Sequence, residues 1–472
     1  MNFKLPIEYV NNIMVDKDII KNIDFDTLYK KTFSPETIHG NNQLERWYST
    51  YTYNTNYLKD TQKLFTNPDN LTINHSVVNT FTKLYDELKN TQHFLTRYKY
   101  IDFKYLTFLN QDSNAMQLLS LYNFASPVIN LITPIVILII PFFILKSQNI
   151  RITFDVYKDF LLKNVLSKYN FNNILNSSLR NKGYIIITTV FYFLSIYHNI
   201  ISTIKFYKNN KYIHNFFNHS SMFFNYISEQ QTILIKKINN LKHYRKFKDS
   251  IVEHQKQINK LSVSLSAISK FNFGKKMIEF HKFKFDKDYI ALCEFSLQCL
   301  GYIDIVKNIA NNTNINKCKF SNKTVLKDFY TPLIENDTII KNSTDLNKNY
   351  IISGPNASGK TTYIKSILSN LILSQQIGQG YYKKASIKPY HRFHCYLNIP
   401  DTNNRDSLFQ AEARLCKSII DDIKQHSKLN HFIVFDELYS GTNPDQAVKS
   451  AYSYLKYLGK FDNTSYLLTT HF

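Results

Sequence analysis

The sequence predicts an α/β domain with a mostly parallel sheet at its C-terminal end. Before it the sequence predicts a mainly α-helical region that contains a two-helix hairpin of membrane-spanning length. Three observations predict this. A glycine-rich loop, Gly354-Pro-Asn-Ala-Ser-Gly359-Lys360-Thr361, stands between a short apolar strand, YIIS, and a helical run, TTYIKSILSNLILSQQ. A second apolar strand, HFIVFDE, ends in two acids, Asp436 and Glu437. Upstream, the stretches Ala125–Leu145 and Gly183–Ile204 carry no charged residue.

The 472 residues allow two or three domains with real cores, and 44% hydrophobic against 20% charged residues excludes a disordered chain. A net charge of +22 suits a polyanionic partner, nucleic acid or an acidic membrane surface. The chain is also rich in Asn, Lys, Ile and Tyr throughout, so part of the Lys excess reads equally as compositional drift. The cysteines Cys293, Cys299, Cys318, Cys395 and Cys416 form no C-x-x-C pair, which points to a reducing compartment and away from a zinc site or disulfide scaffold. The first residues, MNFKLPIEYVNNIMVDKDIIKN, are charged throughout and do not read as a signal peptide.

In chain order, residues 1–120 are helical in pattern, polar and aromatic, with Trp47 beside Arg46. Residues 121–205 hold the two apolar runs. A helix over Ala125–Leu145 is about 31 Å long, the thickness of a bilayer's hydrocarbon. Pro127, Pro134 and Pro141 are costly inside a soluble helix and better tolerated in a membrane. Asn130, Thr133, Tyr192, His198 and Asn199 count against spans, and two buried helices of a soluble domain are the alternative. An even number of spans puts both chain ends on one side. The connector is itself basic (Lys146, Arg151, Lys158, Lys163, Lys168) and does not orient the hairpin.

Residues 206–287 read as a long helical lever or clamp arm. Met222–Phe273 contains neither Gly nor Pro, and Ile227, Leu234, Ile238, Leu241, Tyr244, Phe247, Ile251, Ile258, Leu261, Leu265 and Ile268 step by three, four or seven. That stripe predicts one continuous helix or coiled-coil arm. Its outer face is basic (Lys236, Lys237, Lys242, Arg245, Lys246, Lys248), either a solvated face or a grip for phosphates. From residue 288 to 472 the pattern is α/β.

The loop fits G-x-x-x-x-G-K-[ST]. In that form the backbone N–H groups of Gly354, Pro355, Asn356, Ala357, Ser358 and Gly359 (Pro355 excepted) and of the helix start, Lys360, Thr361 and Thr362, surround phosphates. Lys360 reaches the β and γ oxygens, and the Thr361 hydroxyl ligates Mg2+. Asp436 is placed to hold the Mg2+, directly or through water, and Glu437 to polarise an attacking water. The last strand, YLLTTHF, delivers His471 at its carboxyl end, where it senses a γ-phosphate.

In order and spacing, GPNASGKTT, SLFQAEARL, FDELYSGTNPDQA and TTHF resemble the ATPase domain of the MutS family over residues 349–472. They are nearer to that family than to general ABC ATPases, because DEL-x-x-GT is followed closely by the carboxylate of Asp445. Upstream, FSLQCLGYIDIVKNIAN and YTPLIENDTII resemble the joining segment, and FSPETIHGNNQLERWYSTYT the start of the core. The resemblance implies a P-loop ATPase, with ATP and Mg2+ as cofactors. It implies Asn356 at the nucleotide and Ser407 as the signature serine acting on the γ-phosphate of the opposite subunit. It also implies Glu437 as the catalytic glutamate, His471 as the switch histidine, and Gly441-Thr442 opening a loop across a dimer interface.

By the same resemblance the partner is DNA, mispaired, damaged or branched, and the active unit a homo- or heterodimer. The sequence departs from the family in lacking the mismatch-reading domain with its Phe-x-Glu wedge, in Asp406 where glycine precedes the signature serine, and in the two apolar runs. It also ends one residue after His471, as a truncated or a minimal form would. The expected function is an ATPase coupled to DNA binding and tethered to a membrane, with the ATPase domain facing the cytosol where ATP is found. The alternatives are a membrane-anchored ATPase that remodels a protein or lipid partner, and a soluble cytoplasmic or nuclear protein. An ABC transporter subunit is disfavoured, since two spans fused to this signature do not make a transport path.

Overall fold

Three prolines, Pro127, Pro134 and Pro141, lie inside one helix, α1 (Ser113–Ser147), in the computed structural model of the protein. The structure describes residues 2–66, 71–148, 150–164, 179–334, 339–397 and 408–471. Each proline lacks an N–H and so leaves the carbonyl four residues earlier without its helical donor. Two of those carbonyls receive a hydroxyl from elsewhere. Thr203 Oγ1 donates to Asn123 O at 2.9 Å, and Tyr192 OH donates to Asn130 O at 3.3 Å. Both donors sit on a long helix that includes residues 179–238; a shorter helix between, α2 (Phe154–Asn164), places Tyr157 OH 3.1 Å from Leu138 O, beside the third proline. The long helix is α3 (Leu179–Ile238), and Asn130 Nδ2 also donates to its Ser195 Oγ at 3.4 Å. Of the polar residues counted against spans in the sequence, Tyr192 is the one that satisfies a carbonyl freed by a proline.

Among the described residues three helices are long and apolar enough to cross a bilayer: α1, α3 from Ile186, and a helix spanning Lys287–Asn311. The last is 67% buried over its apolar window and is a core helix, whereas the windows of α1 and α3 are 0% buried. Ile137, Phe143, Phe191 and Phe193 on these two helices face outward and are exposed.

The single long arm expected over Met222–Phe273 does not form. α3 ends at Ile238, a turn begins at Asn239-Asn240, and α4 (Arg245–Ser266) runs back. Gln231 Nε2 meets His254 Nδ1 at 2.9 Å, Gln255 Nε2 donates to Ser228 O at 2.8 Å, and the Ser221 and Ser262 hydroxyls are 2.8 Å apart, an antiparallel register. The apolar stripe is real and wholly buried, from Ile227 to Ile268. Folding back buries it, where a projecting helix would leave it wet.

The chain divides into two compact units. One comprises Ser76–Phe223 and Leu261–Ile290, the other Met1–His75, Phe224–Lys260 and Ala291–Phe472. The first has an aromatic core in which Phe81 stacks on Phe223 at 4.1 Å, and Phe216 meets Phe280 and Phe283, both on α5 (Phe273–Phe285), edge to face.

In the second unit a two-stranded ladder, β1 (Ile13–Met14) with β2 (Thr50–Tyr51), lies near the start of the chain. The helix that joins this segment to the sheets is α6 (Lys287–Asn311). Its fully buried Asp304 accepts from Thr37 N at 2.8 Å and Thr37 Oγ1 at 2.7 Å, tying down the stretch FSPETIHG. Seven of the remaining strands are β3 (Asn316–Phe320), β4 (Val325–Phe329), β5 (Asn342–Asp345), β6 (Tyr350–Ser353), β7 (Gln379–Gly380), β8 (Lys384–Ile387) and β9 (Arg392–Tyr396). The last two are β10 (His431–Asp436) and β11 (Thr464–Thr470). A mixed sheet runs β5-β4-β8-β3-β7, and a fully parallel one runs β6-β11-β10-β9. The helices of the parallel sheet's crossovers are α7 (Lys360–Ile377), α8 (Leu408–Gln425) and α9 (Pro444–Leu458). α7 is buried almost along its whole length. Its Gln376 donates to Trp47 O at 3.0 Å and Thr50 O at 2.8 Å, so residues 1–75 belong to this unit and not with residues 76–120.

Candidate nucleotide-binding site

β6, β11 and β10 are adjacent and parallel, so their carboxyl ends open together at one edge of the sheet. The loop 354–359 comes directly after β6, His471 directly after β11, and Asp436 and Glu437 close β10. Pro355 to Gly359 are exposed, while Lys360 is buried at the start of α7. Gly359 caps α7 with φ at +88° and contributes no side-chain cap. The first-turn N–H groups are thus left to an external acceptor, which is what an anion-binding helix end requires.

Lys360 Nζ donates to Gly354 O at 2.7 Å and Pro355 O at 2.9 Å. It also stands 3.2 Å from His471 Nδ1. His471 Nδ1 is also 3.3 Å from Gly354 O, and its Nε2 contacts the Glu437 carboxylate. Thr361 Oγ1 donates to Asp436 at 2.8 Å, and Thr469 Oγ1 donates to the same carboxylate. Five expected site residues, Lys360, Thr361, Asp436, Glu437 and His471, therefore form one connected group. Ser407, with Asp406, lies outside the described residues; α8 begins at the next position, Leu408.

The turn after β10 stores strain. Glu437 (φ 55°) and Tyr439 (φ 60°) are both left-handed without being glycine, at a cost of about 1–2 kcal/mol each. Backbone bonds hold it: Glu437 N–H donates to Thr469 O at 3.1 Å, and Tyr439 N–H to Tyr396 OH at 3.3 Å. Glu412 on α8, fully buried, accepts from Ser440 N at 3.0 Å, Ser440 Oγ at 3.1 Å and Gly441 N at 3.4 Å. A Cβ on Gly441 would lie 2.7 Å from Leu408 Cγ, so this close approach needs glycine. Sequence reading missed Glu412 and Thr469. Glu412 was legible only as an acid on the apolar face of α8, in step with Cys416, Ile419 and Ile423. A cavity of about 390 Å3 beside the loop, lined by Tyr330, Ile340, Ser358, Lys360 and Tyr363 among others, was not legible either.

The sheet order, the loop-to-helix start and the acidic strand end define a P-loop ATPase domain at the C-terminus. Residues 350–472 match the family model for MutS domain V. It is similar to endonuclease MutS2 of Staphylococcus haemolyticus, 27% identical over 158 residues, which is 32% of this chain and 20% of that protein. It is also similar to DNA mismatch repair protein MSH3 of Debaryomyces hansenii, 26% identical over 200 residues, 39% of this chain and 19% of that one. Human DNA mismatch repair protein Msh3 is 24% identical over 238 residues, 47% of this chain and 20% of that one. The chain spans about a fifth of the length of these relatives.

Glu412→Ala is expected to leave the Ser440 and Gly441 N–H groups buried without an acceptor and to lower stability by about 2 kcal/mol. Proteolytic cleavage in the turn 438–443 should become faster. Unchanged urea unfolding and unchanged cleavage would show that Glu412 does not hold the turn.

Proposed function

We propose that this chain is a Mg2+-dependent ATPase of the MutS type that works as a dimer, couples its cycle to DNA, and is held at a membrane by the α1–α3 hairpin. The observation that carries the ATPase reading is the connected group at the sheet edge. Its residues fit the ligands: an uncapped helix start and Lys360 for phosphate, and the paired oxygens of Thr361 and Asp436 for a hard cation such as Mg2+. Bound Mg2+ neutralises phosphate charge. Lys360 gives up the loop carbonyls to grip β and γ oxygens. Glu437, aimed by its left-handed backbone, holds the attacking water and takes its proton. His471, lying between Lys360 and Glu437, reports whether a γ-phosphate has drawn Lys360 away.

Lys360→Ala is expected to abolish ATP binding, while Glu437→Gln keeps binding and lowers turnover by about 10²–10⁴-fold. Equal nucleotide affinity in wild type and Lys360→Ala would remove the phosphate-gripping role. Normal turnover in Glu437→Gln would remove the catalytic one.

Ser407 is proposed to act across the dimer. Mixing inactive Ser407→Ala with inactive Lys360→Ala subunits should restore about one working site per mixed dimer, on the two-site scheme. Background hydrolysis in verified mixed dimers would mean that each site is complete within one chain.

DNA as partner rests on the family and on the net charge of +22. The membrane rests on the exposed apolar faces of α1 and α3 and on the hydroxyls that satisfy α1's broken backbone. The same faces favour a second reading, a membrane-anchored ATPase that acts on a protein or lipid partner. The expected result is that full-length protein resists an alkaline carbonate wash of membranes and that DNA stimulates its ATPase. Extraction of the protein by carbonate would make the pair peripheral or soluble; carbonate resistance with no response to DNA would favour the second reading.

A further inference from the structure

The ends of β9 and β10 remote from the nucleotide carry a cluster that the ATPase reading does not use. His394 on β9, His431 on β10 and Asp422 near the end of α8 bring one ligand atom each to a common point. His394 Nε2 and His431 Nδ1 are 3.1 Å apart, His394 Nε2 and Asp422 Oδ2 are 3.5 Å apart, and His431 Nδ1 and Asp422 Oδ2 are 3.9 Å apart. Ligand atoms about 2.0–2.2 Å from a tetrahedral zinc stand roughly 3.3–3.5 Å from one another, so this triangle is close to one face of such a site.

We propose that His394, His431 and Asp422 bind a divalent transition-metal ion, zinc by preference, with the fourth position open to solvent. The surrounding bonds fix which atoms face the ion. His431 Nε2–H donates to His426 O at 3.2 Å, which leaves Nδ1 as its lone pair. Arg392 donates to His426 Nε2 at 3.2 Å, so His426 Nδ1–H turns to Asp422 Oδ1 at 3.0 Å, and Oδ2 is left for the metal. Backbone carbonyl, imidazole and carboxylate are the partners that orient metal ligands elsewhere. A cavity of about 770 Å3, lined by His394 and Asp422 among others, gives an ion and its water a way in.

Arg392 competes with the ion: its Nε lies 3.9 Å from Asp422 Oδ2 and shares the carboxylate's charge. The two imidazoles are also at hydrogen-bond distance. In the metal-free protein His394 Nε2–H donates to His431 Nδ1, and zinc takes the place of that proton while His394 carries its hydrogen on Nδ1.

The test is titration of Zn2+ into full-length, nucleotide- and Mg2+-free protein against a chromophoric chelator, with Co2+ as a spectroscopic substitute. The expected result is one saturable zinc per chain, visible bands of tetrahedral Co2+, and loss of affinity by at least about tenfold in His394→Gln and Asp422→Asn. Lys360→Ala and Asp436→Asn should bind zinc as wild type does, which separates this site from the ATP site and its failure from failure of the ATPase reading. If His394→Gln destabilises the fold, His426→Gln, which alters only the outer partner of Asp422, should still weaken zinc binding. Absence of stoichiometric binding, or folded His394→Gln and Asp422→Asn proteins that bind as wild type does, would overturn the proposal.

Discussion

The parallel pairing of β6, β11 and β10 is the constraint on which the nucleotide site depends. Register places Asp436 opposite Thr469 and Thr470 opposite Ser353, so the acidic end, the histidine and the loop emerge level with one another. A slip of one residue moves a strand by about 3.3 Å and turns its side chains to the other face, which would part Asp436 from Thr361. The register is secured by burial. His431 to Phe435 of β10 are all buried, the near-continuous apolar strand of a sheet covered on both faces. The first polar positions after that run are Asp436 and Glu437, so these two acids stand where the core stops.

How much of this was legible depends on the range over which each signal acts. The loop, the acidic strand end and His471 are local patterns with a fixed spacing to their own strand, and the structure brings Lys360, Thr361, Asp436, Glu437 and His471 together. Glu412 was hidden because its three donors lie 28 or 29 residues away in the turn after β10. The histidine cluster was hidden likewise: His394 and His431 are 37 residues apart and face each other only because β9 pairs with β10. Cysteine spacing had argued against zinc, yet it says nothing about a site built from imidazoles and a carboxylate. The long arm failed for another reason. A heptad-like stripe is the same whether the buried face meets a partner helix or its own chain folded back, and Asn239-Asn240 is a weaker stop than Gly or Pro.

The prolines of α1 leave backbone carbonyls that the neighbouring helix α3 satisfies. In water a proline-freed carbonyl finds a water molecule; where a helix is covered by neither water nor protein, the donor must come from a neighbour. Thr203 and Tyr192 supply it in antiparallel order, Asn123 to the later residue and Asn130 to the earlier one. Polar residues spaced to meet the prolines of the other helix are what an apolar hairpin requires if its backbone is to stay satisfied. Tyr192, read by its polarity alone in the sequence, counted against a span.

α8 links the two ends of the parallel sheet. Near its start Glu412 holds the turn after β10, and near its finish Asp422 meets the imidazoles of β9 and β10. Between them Cys416, Ile419 and Ile423 are buried on the same face, and the Cys416 carbonyl accepts from Tyr454 OH of α9 at 3.1 Å. A helix fastened at both ends and along one stripe moves as a rod if it moves at all.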